Sequence, residues 1–159
     1  MNRSDKNGFA GELLRDICEI YQPVAEERGF ALSVEGEKSA AFFGNRQMIG
    51  RAVANLVDNA MKYGQGSSAI SLGLHEVHDG AEIVVGDHGP GIPAELREDA
   101  VRKYRRLEEA RTTEGSGLGL AMVRAVARLH GGDIVLEDNE PGLRVRLVLR
   151  RDGNHIANA

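Results

Sequence analysis

Tryptophan is absent from this 159-residue chain and cysteine occurs once. A single thiol, Cys18, excludes an internal disulfide and any zinc site built from several cysteines. Set among apolar helical positions, it is expected to be a buried, inert thiol. Aromatic residues make up only 4% of the chain. The basic stretch Arg102, Lys103, Arg105 and Arg106 has Tyr104 as its only stacking ring, and the net charge is -4. Neither feature suits a nucleic-acid surface, so no nucleic-acid partner is expected. Long apolar runs are missing, and the polar start from Met1 to Lys6 does not resemble a signal peptide. The expectation is a cytoplasmic domain without direct membrane contact. Any anchor of a parent protein in an inner membrane would lie outside this sequence.

Hydrophobic residues at 42% and charged residues at 28% are an ordinary globular balance. The length suits one domain, placed at 11–150, with a flexible segment over 1–10 and a disordered tail over 151–159. Leu13, Leu14, Ile17, Ile20 and Tyr21 recur at helical spacing from Gly11 to Arg28, and Gly29 ends the run. Phe30 to Val34 and Ala40 to Phe43 alternate as short strands. Arg46 to Lys62 is the clearest helix, with Ile49, Val53, Leu56, Val57 and Ala60 on one face. After a turn at Gly64 to Ser68, Ala69–Glu76 and Ala81–Val85 read as a hairpin around His78-Asp79-Gly80. Asp87 to Pro93 is a loop, and Arg97 to Glu114 is basic and poorly periodic. A helix from Leu118 to Leu129 stops at Gly131-Gly132, and strands Asp133–Glu137 and Leu143–Leu149 follow. One sheet with amphipathic helices between its strands implies a two-layer α/β sandwich.

Three constellations carry candidate chemistry. In Asn55-Leu-Val-Asp-Asn59-Ala-Met-Lys62-Tyr63, helical geometry stacks Asn55, Asn59 and Lys62 along one side, with Asp58 turned away. Amides and an ammonium bordering a core need partners. A phosphate-bound Mg2+ supplies them, with the Asn59 amide oxygen on the metal and Lys62 on a phosphate. A solvated polar flank is the alternative. In Asp87-His88-Gly89-Pro90-Gly91-Ile92, a strand ends in a carboxylate able to accept from a purine amine, and glycines permit close approach to a flat ligand. A turn capped by Asp87 is the alternative. In Gly115-Ser116-Gly117-Leu118-Gly119-Leu120, glycines open into a helix N-terminus suited to phosphate. A loop with Ser116 as N-cap is the alternative. The segment is not a Walker A loop, because no Gly-Lys-Ser/Thr follows.

In this order and spacing, the chain resembles the histidine kinase catalytic domains of the GHKL ATPase superfamily. Asn55–Tyr63 is similar to the N box, Asp87–Ile92 to the first glycine box and Gly115–Leu120 to the second. Tyr104 to Thr113 resembles the F box and the start of the ATP lid. The resemblance implies a mixed sheet with helices on one face and a mobile lid over ATP. It implies that Asn59 holds Mg2+, that Asn55 supports the metal or phosphates, and that Lys62 and Arg106 meet phosphate. Tyr63 then borders the nucleotide, Asp87 reads the adenine amine, and Gly89, Gly91 and Ile92 shape the pocket. Gly115, Ser116, Gly117 and Gly119 line the triphosphate, with Leu118 and Leu120 anchoring the helix. The implied partners are a dimerisation domain carrying the phosphoacceptor histidine and a response regulator receiver domain.

Relatives that hydrolyse ATP carry Glu where this chain has Asn55, and an amide cannot act as a base near neutral pH. A GHKL ATPase or serine kinase is therefore disfavoured, and a degenerate nucleotide- or partner-binding regulator is the other alternative. Tyr104 replaces the usual Phe, and His88 the usual Asn. No histidine has a phosphoacceptor context. His75 and His78 are expected at a surface hairpin, His88 in a turn, and His155 in the tail. His130 is expected as a partly charged imidazole at a helix C-terminus.

Overall fold

The computed structural model describes residues 10–36, 44–63, 69–101 and 118–150. In chain order the elements are α1 (Ala10–Glu27), β1 (Ala31–Gly36), α2 (Arg46–Tyr63), β2 (Ala69–Val77) and β3 (Gly80–Gly86). Then come α3 (Ala94–Val101), α4 (Leu118–Leu129), β4 (Asp133–Asp138) and β5 (Leu143–Arg150). The expected strand at Ala40–Phe43, the turn at Gly64–Ser68, the lid with Tyr104 and Arg106, and the tail with His155 lie outside the described residues.

Among the described residues the sheet has five strands in the order β1-β2-β3-β5-β4. β1 runs parallel to β2, and every other neighbouring pair is antiparallel. The mixed sheet is therefore as expected. Its period-two pattern decides which face is covered. Ile70, Leu72 and Leu74 of β2, Ala81, Ile83 and Val85 of β3, and Val145, Leu147 and Leu149 of β5 are buried in one core. Ile17 of α1, Val53, Leu56 and Val57 of α2, and Val123, Val126 and Ala127 of α4 complete it. The alternate residues form the opposite face, where charges pair across strands. Arg146 Nη1 donates to Glu82 Oε2 at 2.6 Å, and Arg144 Nε to Glu137 Oε1 at 3.1 Å.

The helix boundaries follow from their termini. Asn45 caps α2, its Oδ1 accepting from Met48 N–H at 3.0 Å. α1 ends where Phe30 N–H reaches back to Ala25 C=O at 2.8 Å, around Gly29 at φ 86°. α1 also runs through Pro23, which is exposed.

Two expectations need correction here. Ala94–Val101 is a helix although the chain from Arg97 reads as poorly periodic. It is eight residues long and buries only Ala100 and Val101, so it presents too narrow an apolar stripe to register as a period. Cys18 is half-buried rather than buried, beside Gln22 and the Leu32 carbonyl. Burial first, and the nearby Glu19 charge second, push its thiol pKa up, which disfavours the reactive thiolate.

α3, α4 and β4 are joined by charge. Arg124 reaches Glu98 at 3.4 Å and Asp133 at 3.2 Å, and Arg128 reaches Asp133 at 3.3 Å. Burial pushes the Asp133 carboxyl up. The Ile134 N–H bond and the Arg128 and Arg124 guanidiniums outweigh it and hold the group below the usual carboxylate range.

Candidate nucleotide site

α2 supplies the first wall. Asn55, Asn59 and Lys62 are all half-buried on it, and Tyr63 is its last residue. Asn55 Nδ2 points to Met122 Sδ of α4 at 4.0 Å, so its amide oxygen is left for another partner. The expected orientation of Asp58 is corrected: its Oδ2 lies 3.5 Å from Lys62 Nζ, one helical turn on. Asp58 also faces α1. Burial of Tyr21 chiefly, and the Asp58 charge next, push the Tyr21 phenol pKa up.

His130 fixes how α2 and α4 meet at their other ends. It is only 2% exposed. Its Nε2 accepts the Asn45 N–H at 3.0 Å, and its Nδ1 lies 2.8 Å from the Val126 carbonyl. A ring that accepts at Nε2 and donates at Nδ1 is the neutral tautomer, assigned by its bonds. The expected partly charged imidazole at a helix end is thereby corrected, because Nε2 is engaged as the acceptor of the Asn45 N–H at the α2 cap. His75 and His78 are exposed at the hairpin, and His88 is exposed in the turn after β3, as expected.

The second wall follows β3. Asp87 is buried, with 6% exposure. Its Oδ1 accepts from Gly89 N–H at 2.8 Å and lies 3.4 Å from Leu143 N. The turn-capping alternative is therefore partly right, since the carboxylate does hold its own loop. Those bonds use Oδ1, and Oδ2 is the oxygen they leave over. Gly89 is buried, and Gly91 adopts φ 76°, with its Cβ position 2.8 Å from the Gly142 carbonyl. A side chain there is strained twice, by conformation and by contact. Ile92 is half-buried against the core, and its carbonyl accepts from Arg97 Nε of α3 at 2.9 Å.

The third part is only partly within the described residues. Leu118 opens α4, Gly119 lies in its first turn, and Leu120 is buried. Gly115, Ser116 and Gly117, like Arg106, lie outside them. α4 packs along α2, so its N-terminal end and the Asn55–Asn59 flank belong to one helix pair.

The sequence reading missed Met122, Arg97 and the β4–β5 turn. Asn139 Nδ2 donates to the Asp87 carbonyl at 2.7 Å, and Gly142 at φ 114° packs on it. An Asn-Glu-Pro-Gly string is a turn signal, but nothing local says what the turn supports.

The residues fit a purine nucleotide. A buried carboxylate with an oxygen left over lies beside glycines that keep the loop close to the sheet. The half-buried Asn59 amide offers the kind of oxygen that Mg2+ takes alongside phosphates.

Comparison with known proteins shows the family and the fold. Residues 44–153 match the family model described as histidine kinase-, DNA gyrase B-, and HSP90-like ATPase. The signal transduction histidine-protein kinase/phosphatase MprB of Mycolicibacterium smegmatis is 46% identical over 101 residues, covering 63% of this chain and 20% of the relative. The chain thus spans about a fifth of that relative's length. A solved mycobacterial sensor histidine kinase MprB superposes with TM-score 0.72 at 29% identity, covering 87% of this chain and 92% of that one. The catalytic domain of histidine kinase ThkA has the same fold, with TM-score 0.78 at 24% identity over 91% of this chain and 96% of that one. No helix among the described residues is long and apolar enough to cross a membrane. The chain belongs to the histidine kinase-, DNA gyrase B- and HSP90-like ATPase family and is an ATP-binding catalytic domain of the sensor histidine kinase type.

Proposed function

We propose that this chain binds ATP with Mg2+ and presents the γ-phosphoryl to a histidine on the dimerisation domain of its parent kinase. From there the group passes to an aspartate on a response regulator receiver domain. The observation that carries this reading is Asn55. It stands on the half-buried flank of α2 with its amide nitrogen toward Met122, where ATP-hydrolysing relatives place a glutamate base. An amide at that place orients groups but removes no proton from water, so bound ATP persists for transfer to another nucleophile.

In this reading Asp87 accepts the adenine amine through Oδ2, and Gly89, Gly91 and Ile92 set the floor of the pocket. Asn59 holds the metal, Lys62 meets a phosphate, and Asn55 supports them. The metal neutralises phosphate charge when bound. Tyr63, Arg106 and the segment from Gly115 to Leu120 contribute the remaining contacts. The chain's own residues position and neutralise, which is most of what phosphoryl transfer asks of a protein.

The test is incubation with radiolabelled ATP, with and without the separately supplied dimerisation domain. Acid-labile label on that domain, and slow phosphate release by this chain alone, are expected. Rapid phosphate release would instead mark an ATPase. Acid-stable label on this chain would mark a serine or threonine kinase. Tight ATP binding without transfer would mark a regulator.

A further inference from the structure

The turn between β4 and β5 is built around the backbone of Asp87. Asn139 Nδ2 donates to the Asp87 carbonyl at 2.7 Å. Asp87 N–H in turn donates to the Leu143 carbonyl at 3.0 Å. Gly86 leaves space for the amide, since a Cβ there would lie 3.3 Å from Asn139 Nδ2. The turn itself does not require the Asn139 side chain, because the backbone N–H of Asn139 already reaches the Gly142 carbonyl at 3.0 Å.

The side-chain bond therefore serves something other than the turn. The Asp87 carbonyl belongs to the peptide unit that leads to His88, and the next N–H along is Gly89, which holds Asp87 Oδ1 at 2.8 Å. Fixing that peptide plane restricts, through the backbone of His88 between them, where the Gly89 N–H can sit, and the Gly89 bond in turn restricts the rotation of the carboxylate. Oδ2 then points in one direction. We propose that Asn139 is a positioning residue for nucleotide base recognition, which it serves by locking the Asp87 peptide so that the carboxylate is aimed before the base arrives. This rests on the reading of Asp87 as the acceptor of the adenine amine. Preorganisation of this kind raises discrimination because the acceptor need not be ordered on binding.

The experiment is calorimetric titration of the full chain with ATP and with purine riboside triphosphate, which lacks the exocyclic amine. The wild type is expected to prefer ATP by about tenfold or more, the range for a bond to a charged acceptor. Asn139→Asp keeps size and turn preference but removes the donor, and Asn139→Ser shortens it out of reach of the carbonyl. Each is expected to lose most of the ATP preference, about tenfold, with binding of the amine-free analogue unchanged. Wild-type preference in either variant overturns the proposal, as does an equal loss for both nucleotides, which would mark a purely structural role. Asp87→Ala separates the two ideas. If it leaves the preference intact, the adenine reading itself fails. If it abolishes the preference while both Asn139 variants keep it, only the role of Asn139 fails.

Discussion

The backbone N–H of Asn45 lies 3.0 Å from Nε2 of His130, across 85 residues of sequence. The contact ties the cap of α2 to the end of α4, the two helices that carry the candidate nucleotide-site residues. Its position about 15 Å along α2 from Asn55, at 1.5 Å per residue, makes it an anchor for the helix pair rather than part of the chemistry.

His130→Phe keeps the bulk of the ring and removes both of its polar contacts. The Asn45 N–H and the Val126 carbonyl then lose their side-chain partner. A loss of about 0.5–1.5 kcal/mol in stability is expected, the usual net contribution of a hydrogen bond, since Asn45 is exposed and the Val126 carbonyl keeps the backbone N–H of residue 130. Urea unfolding measures it through a lower midpoint at unchanged slope. A midpoint equal to that of the wild type would mean that water replaces the imidazole.

Gly142 tests the link between the β4–β5 turn and the base pocket. A Cβ at this position would lie 2.0 Å from the Asp87 carbonyl oxygen, at φ 114°. Backbone must therefore shift, and the part that shifts carries Asp87. Gly142→Ala is expected to cost more than about 1 kcal/mol of stability and to weaken ATP binding at temperatures where the variant is still folded. Thermal melting and nucleotide titration of the same sample check both expectations.

Asp133 gives the fold an acid-sensitive joint. Its carboxyl is held below the usual range in the folded chain, so the unfolded state takes up the proton first as pH falls. The stabilisation is complete above the unfolded value of about 4 and disappears as pH drops through the folded value. The side chain is 43% exposed, and its ion pairs with Arg124 and Arg128 belong to the class worth within about 1 kcal/mol. Melting of the wild type and Asp133→Asn from pH 7 to pH 3 is expected to show a small gap that closes at the acid end. A gap independent of pH would contradict the charge argument.

Asn59→Ala removes the amide oxygen assigned to the metal. ATP binding measured with Mg2+ is expected to fall toward the value measured without it, while the wild type shows a clear difference. The core near Asn59 is carried by its neighbours Leu56, Val57 and Ala60, so the melting temperature is expected to change little. Equal dependence on Mg2+ in both proteins would reassign the metal to other oxygens.

What the sequence revealed was local. Asn55, Asn59 and Lys62 lie within two turns of one amphipathic helix, and Asp87 to Ile92 is a continuous string, so periodicity and glycine spacing were enough to single them out as candidates. Their roles came only from the resemblance of the ordered segments to the GHKL histidine kinases. The contacts that position these residues are remote. Asn139 meets Asp87 across 52 residues and His130 meets Asn45 across 85, separations that no local pattern encodes. Pro23 shows the opposite case, where the apolar spacing of α1 correctly outweighed a residue that disfavours helix interiors. α3 escaped notice because a helix that buries two residues gives periodicity almost nothing to detect.

The sheet order leaves β4 at an edge among the described residues, with one long side of its backbone unpaired by any described strand. Its centre, Ile134-Val135-Leu136, is the kind of short apolar run on which a second chain can add a strand. Asp133 stands on one side of that run, and Glu137 and Asp138 on the other. An incoming copy laid antiparallel would set these acids against one another, so self-association through this edge is opposed by charge. The carboxylates that clamp Arg124, Arg128 and Arg144 inside one molecule therefore also act as gatekeepers between molecules.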